Sequence, residues 1–330
     1  MKLHNIIAVG LVALAGFSYA QQSAAKQTGL VALVADNKGK SGRVLVKGAS
    51  GKDTYVYYDK SREQDMQRKT STLGLFFLQS PADLVEAERA LNARDLAAAR
   101  TQLGAVKEKY KGFQGLDRNP SERAAVLELE CAISQLDFAG LKGLVGSFPH
   151  KDWLGADDKA KLFAAEILAK ACTGAAVADV EAEVKKLMGT EVGKALCGDC
   201  YGWLQYAIAY STAAAIPAAE LEGGISEANV AAANKAIDAY CQAGVASHGG
   251  TMELPIDAMT RAQALLWAMP GVKDYAAKAV PMGKEKWNAA PANFRDAVAL
   301  AYMLKNVWGT ANPTIDAAAK LYFNTQAGQE

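Results

Sequence analysis

The hydrophobic pattern of this chain changes its period once, at Pro81, and this change constrains the fold more than any other feature. Before Pro81, apolar side chains recur at alternate positions, which is typical of strands with one buried face. After Pro81 they recur every three to four residues, which is typical of helices with one buried stripe. The sequence therefore predicts a small β region at 21–80 and a mainly α-helical region in the rest of the chain.

The β region is predicted to form a small antiparallel meander of three or four strands. Runs rich in Gly, Asn, Asp and Ser at 36–42 and 49–53 supply the turns between the alternating segments. The polar stretch from Lys60 to Thr72 breaks the alternation and indicates a solvated hairpin loop, with a binding loop as the alternative. The alternating apolar positions are Val44, Val46, Tyr55, Tyr57, Leu73, Leu75 and Phe77.

The helical region is predicted to consist of antiparallel helix pairs, ten to twelve helices in all. Only about three residues join the first two helices, which favours an antiparallel turn. Helix starts are marked at Pro120 and Pro313, each preceded by Asn, a favoured capping residue. The stripes of the first two helices are Leu84, Ala87 and Leu91, then Leu96, Ala99, Leu103, Val106 and Tyr110. Stacked pairs of this kind predict a repeat-like, α-solenoid array.

Three glycines, Gly140, Gly143 and Gly146, lie three residues apart in the fourth predicted helix. Each weakens a helix interior by about 1 kcal/mol relative to Ala. We therefore expect these glycines either to permit close packing against a neighbouring helix or to fray the helix that carries them.

The first helix pair, from Leu84 to Tyr110, resembles a tetratricopeptide repeat. The next pair follows the same order of small and large residues, although Leu96 and Phe138 are 42 residues apart, against about 34 in that family. The resemblance implies repeats over 81–190, further helix pairs over 191–330, and a concave surface that binds other proteins. The matching positions are Ala87, Ala90, Leu96, Ala99, Leu103 and Val106.

The amino terminus has the pattern of a cleaved signal peptide. Lys2 and His4 precede an apolar run from Ile6 to Phe17, and Ala20 ends a stretch of the kind that signal peptidase reads. The run is about twelve residues long, short of the roughly twenty that span a bilayer as a helix. We expect residues 1–20 to be removed after Ala20, and the mature chain to be periplasmic or secreted without a membrane span.

Charge is balanced in the expected mature chain. Removal of Lys2 leaves 35 of the 36 basic residues, against 35 acidic residues. A nucleic-acid binder needs clustered excess Lys and Arg to neutralise phosphates. The sequence therefore predicts no nucleic-acid partner.

Five cysteines occur in the mature chain, and an odd number leaves at least one thiol without an intramolecular partner. The motif that most suggests a specific chemistry is the pair Cys197 and Cys200, which lies near the start of a predicted helix. If this helix pairs with the one that follows Ser226, Cys241 and His248 come near the same end. The five cysteines are Cys131, Cys172, Cys197, Cys200 and Cys241.

Four interpretations of this cysteine group stay open. A structural disulfide within Cys197, Cys200 and Cys241, or buried unreactive thiols, would suit an exported helical protein. A zinc site would use the same three cysteines with His248, although their spacing exceeds that of compact zinc modules. The fourth interpretation is a redox dithiol, which is favoured because a helix start lowers a thiol pKa. However, the motif lacks the preceding strand that thioredoxin-like proteins have.

Carboxylates and tryptophans in loop-like contexts offer a different chemistry. Glycan-cleaving enzymes work with one or two acids, and aromatic rings stack on sugars. Only His150 and His248 follow the signal peptide, and no nucleophile elbow, phosphate loop or metalloprotease motif is present. The candidate glycan-site residues are Glu220, Glu222, Glu227, Glu253, Trp153 and Trp287.

Taken together, these patterns favour an exported, non-catalytic scaffold that binds another envelope protein and needs no cofactor. One alternative is an exported enzyme or binding protein for cell-wall or polysaccharide glycans. Another is a cysteine-based redox or zinc protein. Exposed edges of the predicted meander also leave self-association open.

Overall fold

The computed structural model describes residues 29–247, 253–278, 284–310 and 312–322. It confirms a mainly α-helical protein that begins with an antiparallel β meander. The described chain divides into two compact units, one formed by 29–82 with 110–120 and the other by 83–109 with the residues from 121 onward. The predicted signal peptide and its cleavage site after Ala20 lie outside the described residues. Among those that are described, no helix is both long and apolar enough to cross a membrane.

The first unit contains one five-stranded antiparallel sheet rather than three or four strands. Its order is β4-β3-β2-β1-β5, so the last strand returns to pair with the first. Residues 110–120 belong to the same unit, and the Asp53 amide donates to the Gly115 carbonyl at 2.8 Å. The strands are β1 (Leu30–Ala35), β2 (Ser41–Ala49), β3 (Thr54–Asp59), β4 (Gln64–Lys69) and β5 (Leu75–Leu78).

The prediction of a loop from Lys60 to Thr72 is wrong, because Gln64–Lys69 within this stretch forms strand β4. Its residues pair with β3, with Met66 opposite Tyr57. As an edge strand, β4 has one neighbour, and its charged side chains remain in water. A polar edge strand lacks the apolar alternation by which strands are recognised in a sequence.

The buried face of β5 is also the opposite of the predicted one. Leu78 is buried opposite Ala32, whereas Leu75 and Phe77 are 51% and 39% exposed. A shift of one residue in a strand moves every side chain to the other face. The pairing with β1 therefore determines which face of β5 is buried, and the alternation within β5 does not.

Fourteen helices follow in the described residues, more than the ten to twelve predicted, because several are only six or seven residues long. The predicted starts at Pro120 and Pro313 are confirmed, and Asn312 accepts the Ile315 amide at 2.8 Å. The helices are α1 (Ala82–Asn92), α2 (Leu96–Lys109), α3 (Pro120–Ser134), α4 (Phe138–Gly146), α5 (Ala156–Cys172), α6 (Val177–Met188), α7 (Gly198–Ala214), α8 (Ala218–Gly223), α9 (Val230–Ala246), α10 (Glu253–Ala268), α11 (Val272–Lys278), α12 (Lys284–Ala289), α13 (Ala292–Asn306) and α14 (Pro313–Ala319).

Within the second unit, the long helices pack mainly against their neighbours along the chain. Helix α5 contacts α4, α6 and α7, and α7 in turn contacts α9. Helix α9 contacts α10, α10 contacts α13, and α13 contacts α14. One apolar core runs from α3 to α13 through these helices. Helix α7 therefore lies in the middle of the array, with α5 and α9 packed against it.

The three glycines of α4 differ in their surroundings. A Cβ added at Gly143 or Gly146 would meet nothing within 4 Å, so these two do not serve close packing. A Cβ at Gly140 would lie 2.1 Å from a carboxylate oxygen of Asp137. Asp137 is the helix cap and accepts the Gly140 amide at 2.8 Å. Gly140 therefore leaves room for the cap, while Gly143 only weakens the helix.

Replacing these glycines by alanine separates the two effects. We expect Gly143→Ala to raise the free energy of unfolding by up to about 1 kcal/mol, because alanine is the better helix former. Gly140→Ala should give no such gain, because the new methyl group displaces a cap worth about 1 kcal/mol. Urea denaturation followed by circular dichroism measures both. Equal stabilisation by the two substitutions would contradict this account of the cap.

Candidate functional site

The start of α7 carries the Cys197 and Cys200 motif. Cys197 is the N-cap residue, with extended backbone angles, and its sulfur accepts the Cys200 amide at 3.4 Å. The cap role follows from the sequence, because Gly198 and Asp199 are poor choices for a helix interior but common in a first turn. The motif therefore spans the first turn of a 17-residue helix.

The two sulfurs are close together but differ in exposure. Their Sγ atoms are 3.1 Å apart and share a hydrogen bond. A disulfide bond is about 2.05 Å long, so a movement of about 1 Å would bring them to bonding distance. Cys197 is exposed, whereas Cys200 is fully buried. A reagent from solvent can thus reach the first sulfur and not the second.

Electrostatics distinguish the two thiols further. A hydrogen bond from the Cys200 thiol stabilises the Cys197 thiolate, and the Cys200 amide and the Lys161 charge stabilise it further. Burial and the Asp199 charge oppose them, but the pKa of Cys197 is still lowered to about 6. Helix starts favour a thiolate in the same way through their free amide groups. The hydrogen bond with Cys197, followed by burial, raises the pKa of Cys200 well above its ordinary value. At neutral pH one thiol is ionised and the other holds its proton.

Lys161, on α5, supplies the nearest positive charge from another helix. Its ammonium group forms an ion pair with Glu130 of α3 at 2.6 Å, and both side chains are less than a quarter exposed. Burial lowers the pKa of Lys161, but the Glu130 carboxylate outweighs it, so the lysine pKa is raised and the charge is retained. Arg123 and Asp158 are the other charged groups that act on this lysine or its neighbours. Nothing in the sequence links Lys161 to a motif 36 residues away.

Close packing holds the start of α7 against the end of α9. A Cβ at Gly202 would lie 1.9 Å from the Ser247 hydroxyl, and one at Gly198 would lie 3.2 Å from the Ala246 carbonyl oxygen. Only glycine permits this approach at position 202. The predicted antiparallel pairing of these two helix ends is therefore confirmed.

Cys241 does not join the sulfur pair, although it is on α9. It lines a surface pocket with Tyr201, Gln242 and Val245, and burial raises its pKa. In the part of the chain that the structure describes, no three His, Cys, Asp or Glu side chains are grouped so that they could hold a metal ion. The predicted fourth zinc ligand, His248, lies outside the described residues.

The remaining cysteines are packed thiols. Cys131 is fully buried, and burial raises its pKa to about 11. Cys172, at the end of α5, also has a raised pKa because of burial. Both remain protonated at neutral pH, and a protonated buried thiol is a poor nucleophile.

The predicted glycan-site carboxylates are engaged in local structure or lie free on the surface. Glu220 accepts the amide and hydroxyl of Ser226 and the side chain of Asn229, and the backbone bond from Ser226 lowers its pKa. Glu253 pairs with Arg94 at 2.8 Å. Glu222 and Glu227 are exposed. The lowered pKa of Glu220 is the opposite of what a general acid requires.

The two tryptophans assigned to a glycan surface are both in contact with other rings. Trp153 stacks on His150, with ring centroids 4.0 Å apart. Trp287 lies in α12, is buried, and packs against Phe294 and Tyr322. The expectation that Trp287 is free to bind a sugar is therefore wrong, because a helix that the sequence pattern missed turns it into the core.

The chain matches no protein-family model, no curated protein and no solved structure. The tetratricopeptide-like arrangement of 81–190 therefore stays a prediction. The geometry of the Cys197 and Cys200 pair is the feature from which a function can be inferred.

Substitutions at the two charges that act on Cys197 should move its pKa in opposite directions. Lys161→Met removes a stabilising positive charge and should raise the pKa of Cys197 above its value of about 6. Asp199→Asn removes a destabilising negative charge and should lower it. The thiolate absorbance near 240 nm, recorded against pH, measures both. Identical titration curves for the two variants would show that these charges do not reach the sulfur.

The low pKa of Cys197 also predicts a pH-dependent stability of the reduced protein. The folded pKa, about 6, is lower than the ordinary value of 9.0, so the thiolate stabilises the fold above pH 9 and this contribution is lost as the pH falls toward 6. We expect the free energy of unfolding of the reduced protein to fall between these limits relative to Cys197→Ala. Urea denaturation under reducing conditions at several pH values tests this. A constant difference between the two proteins would contradict it.

Proposed function

We propose that this protein is a thiol–disulfide exchange protein, in which Cys197 and Cys200 alternate between a dithiol and a disulfide. The observation that supports this best is the asymmetry of the pair: an exposed sulfur with a pKa of about 6 lies 3.1 Å from a buried sulfur that holds its proton. Exchange needs an accessible thiolate for the partner and a second sulfur that only the first can reach. Both requirements are met within one helical turn.

Oxidation of a partner's two thiols uses only Cys197, Cys200 and the partner itself. A partner thiolate attacks Cys197 Sγ in the protein disulfide, the bond to Cys200 breaks, and the Cys200 sulfur leaves and takes a proton. A second partner thiolate then attacks the partner's own sulfur in the mixed disulfide, and Cys197 leaves as a thiolate. The partner's two thiols lose two electrons and two protons, one to Cys200 and one to solvent. The protein's disulfide gains the two electrons.

Stabilisation of the reduced form favours this direction. A thiol of low pKa is a good leaving group, and the more its thiolate is stabilised, the more oxidising the disulfide becomes. The Cys200 hydrogen bond and Lys161 stabilise the Cys197 thiolate and have no counterpart in the disulfide. The export predicted from the first twenty residues would place this chemistry in a compartment where disulfides persist.

Trapping of the mixed disulfide tests the proposal. The purified Cys200→Ser protein, mixed with a peptide that contains a disulfide, should accumulate a covalent adduct on Cys197, because no second sulfur releases it. Cys197→Ser should form adducts at least about a hundredfold more slowly, because the thiols that remain, Cys200 and Cys241 among them, have raised pKa values and stay protonated. Cys131→Ala is the matched control and should behave like the unaltered protein. Mass spectrometry of peptide fragments locates each adduct.

Equilibration with a small disulfide gives a second test, which can overturn the proposal. The unaltered protein should lose two protons when it is equilibrated with oxidised glutathione, and the new disulfide should join Cys197 to Cys200. If the pair stays reduced, or if Cys197→Ser forms adducts as fast as Cys200→Ser, the exchange function is wrong. Metal analysis of the same preparation distinguishes a zinc protein, which would carry one zinc per chain. The interaction scaffold predicted from the sequence is compatible with exchange, since a partner must dock for the sulfurs to meet.

A further inference from the structure

An open apolar surface lies next to the exposed thiol. Five residues, which we call the α7–α9 pocket, line a cavity of about 420 Å³: Tyr201, Cys241, Gln242, Val245 and Ala246. Val245 is 72% exposed and Tyr201 is 37% exposed, and both are among the more exposed large apolar side chains. The Tyr201 hydroxyl donates to the Gln242 side chain at 3.2 Å and ties the two helices together at the rim. None of the five residues carries a charge at neutral pH.

The pocket lies about one helical turn from the reactive cysteine at the start of α7. Tyr201 follows Cys197 by one helical turn, and its amide donates to the Cys197 carbonyl at 3.1 Å. Across the helix interface, the Ala246 carbonyl lies 3.2 Å from the Cβ position of Gly198, the residue after Cys197. A polypeptide joined to Cys197 by a disulfide therefore comes within reach of this pocket.

We propose that the α7–α9 pocket receives an apolar side chain of a polypeptide partner whose cysteine exchanges with Cys197. This inference rests on the exchange function proposed above. In an extended segment, side chains two residues apart point the same way and are about 6.6 Å apart. The rise of one helical turn, about 5.4 Å, is close to that separation, so we place the apolar residue two positions from the partner's cysteine.

The charges around the site support an apolar occupant. Asp199 and Lys161 act on Cys197 itself, and neither lines the pocket. Asp238 and Asp296 act on the pocket residue Cys241, so an acidic side chain placed there would lose water and meet like charges. A leucine, isoleucine or phenylalanine would instead cover the exposed faces of Val245 and Tyr201. The pocket thus selects a partner by the residue next to its cysteine, while the thiol supplies the reaction.

Peptide kinetics test this selection. Three peptides that each contain one cysteine and differ only two positions away, with Leu, Gly or Glu, are reacted with the oxidised protein. The Leu peptide should react about tenfold faster than the Gly peptide, a ratio that corresponds to about 1.4 kcal/mol. The Glu peptide should be slower than both. Stopped-flow measurement of mixed-disulfide formation gives the rates.

A matched pair of variants tests whether the preference for the Leu peptide comes from the pocket. Val245→Glu should reduce the Leu-to-Gly rate ratio to about one, because it introduces a charge into the apolar wall. Val307→Glu alters a valine that is 69% exposed and does not line the pocket, and it should keep the ratio. Circular dichroism checks that both variants are folded.

The results separate this inference from the function on which it rests. If all three peptides form mixed disulfides at equal rates, exchange stands and the pocket preference is overturned. If Val245→Glu and Val307→Glu change the ratio equally, the preference does not come from the pocket and the inference is likewise overturned. If neither the peptides nor oxidised glutathione react with Cys197, the exchange function fails and the pocket proposal fails with it.

Discussion

The packing of α7 between α5 and α9 is the interaction on which the rest of the helical unit depends. It brings the first turn of α7 beside Lys161 on one side and beside the end of α9 on the other. Gly202 makes the second approach possible, because any larger residue would strike Ser247. The thiol chemistry and the adjoining pocket therefore rest on the same two helix contacts. A site built on rigid helices in this way holds its sulfurs more precisely than a site on loops.

A polar network around the buried Tyr206 hydroxyl reinforces the same helix further along. The Tyr206 hydroxyl of α7 donates to Asp257 of α10, and Arg261 pairs with that carboxylate at 2.6 Å. Burial, followed by the Asp257 charge, raises the pKa of Tyr206, so the hydroxyl keeps its proton and remains a donor. Removing one partner from such a network leaves a buried group unsatisfied, which costs about 1–3 kcal/mol. The network thereby fixes the position of α7 relative to α10 more specifically than apolar contacts alone.

Much of the fold could be predicted, and the errors have physical causes. The change of period at Pro81 identified the sheet and the helices, because backbone geometry dictates where apolar side chains fall. Strand β4 was missed because an edge strand does not need an apolar face, and the buried side of β5 was reversed because β1 determines it. Trp287 was assigned to the surface because a six-residue helix is too short to show a period.

The sequence by itself determined that Cys197 and Cys200 stand one turn apart near a helix start, because this follows from local spacing. It placed the end of α9 near them only on the condition that the two helices pair. Only the tertiary structure decided which sulfur is exposed, because exposure depends on the helices packed around the motif. It also brought Lys161 and the α7–α9 pocket near Cys197, and it left Cys241 in the wall of that pocket rather than in the sulfur pair. These relations join residues far apart in the chain, and no local pattern encodes a contact between distant residues.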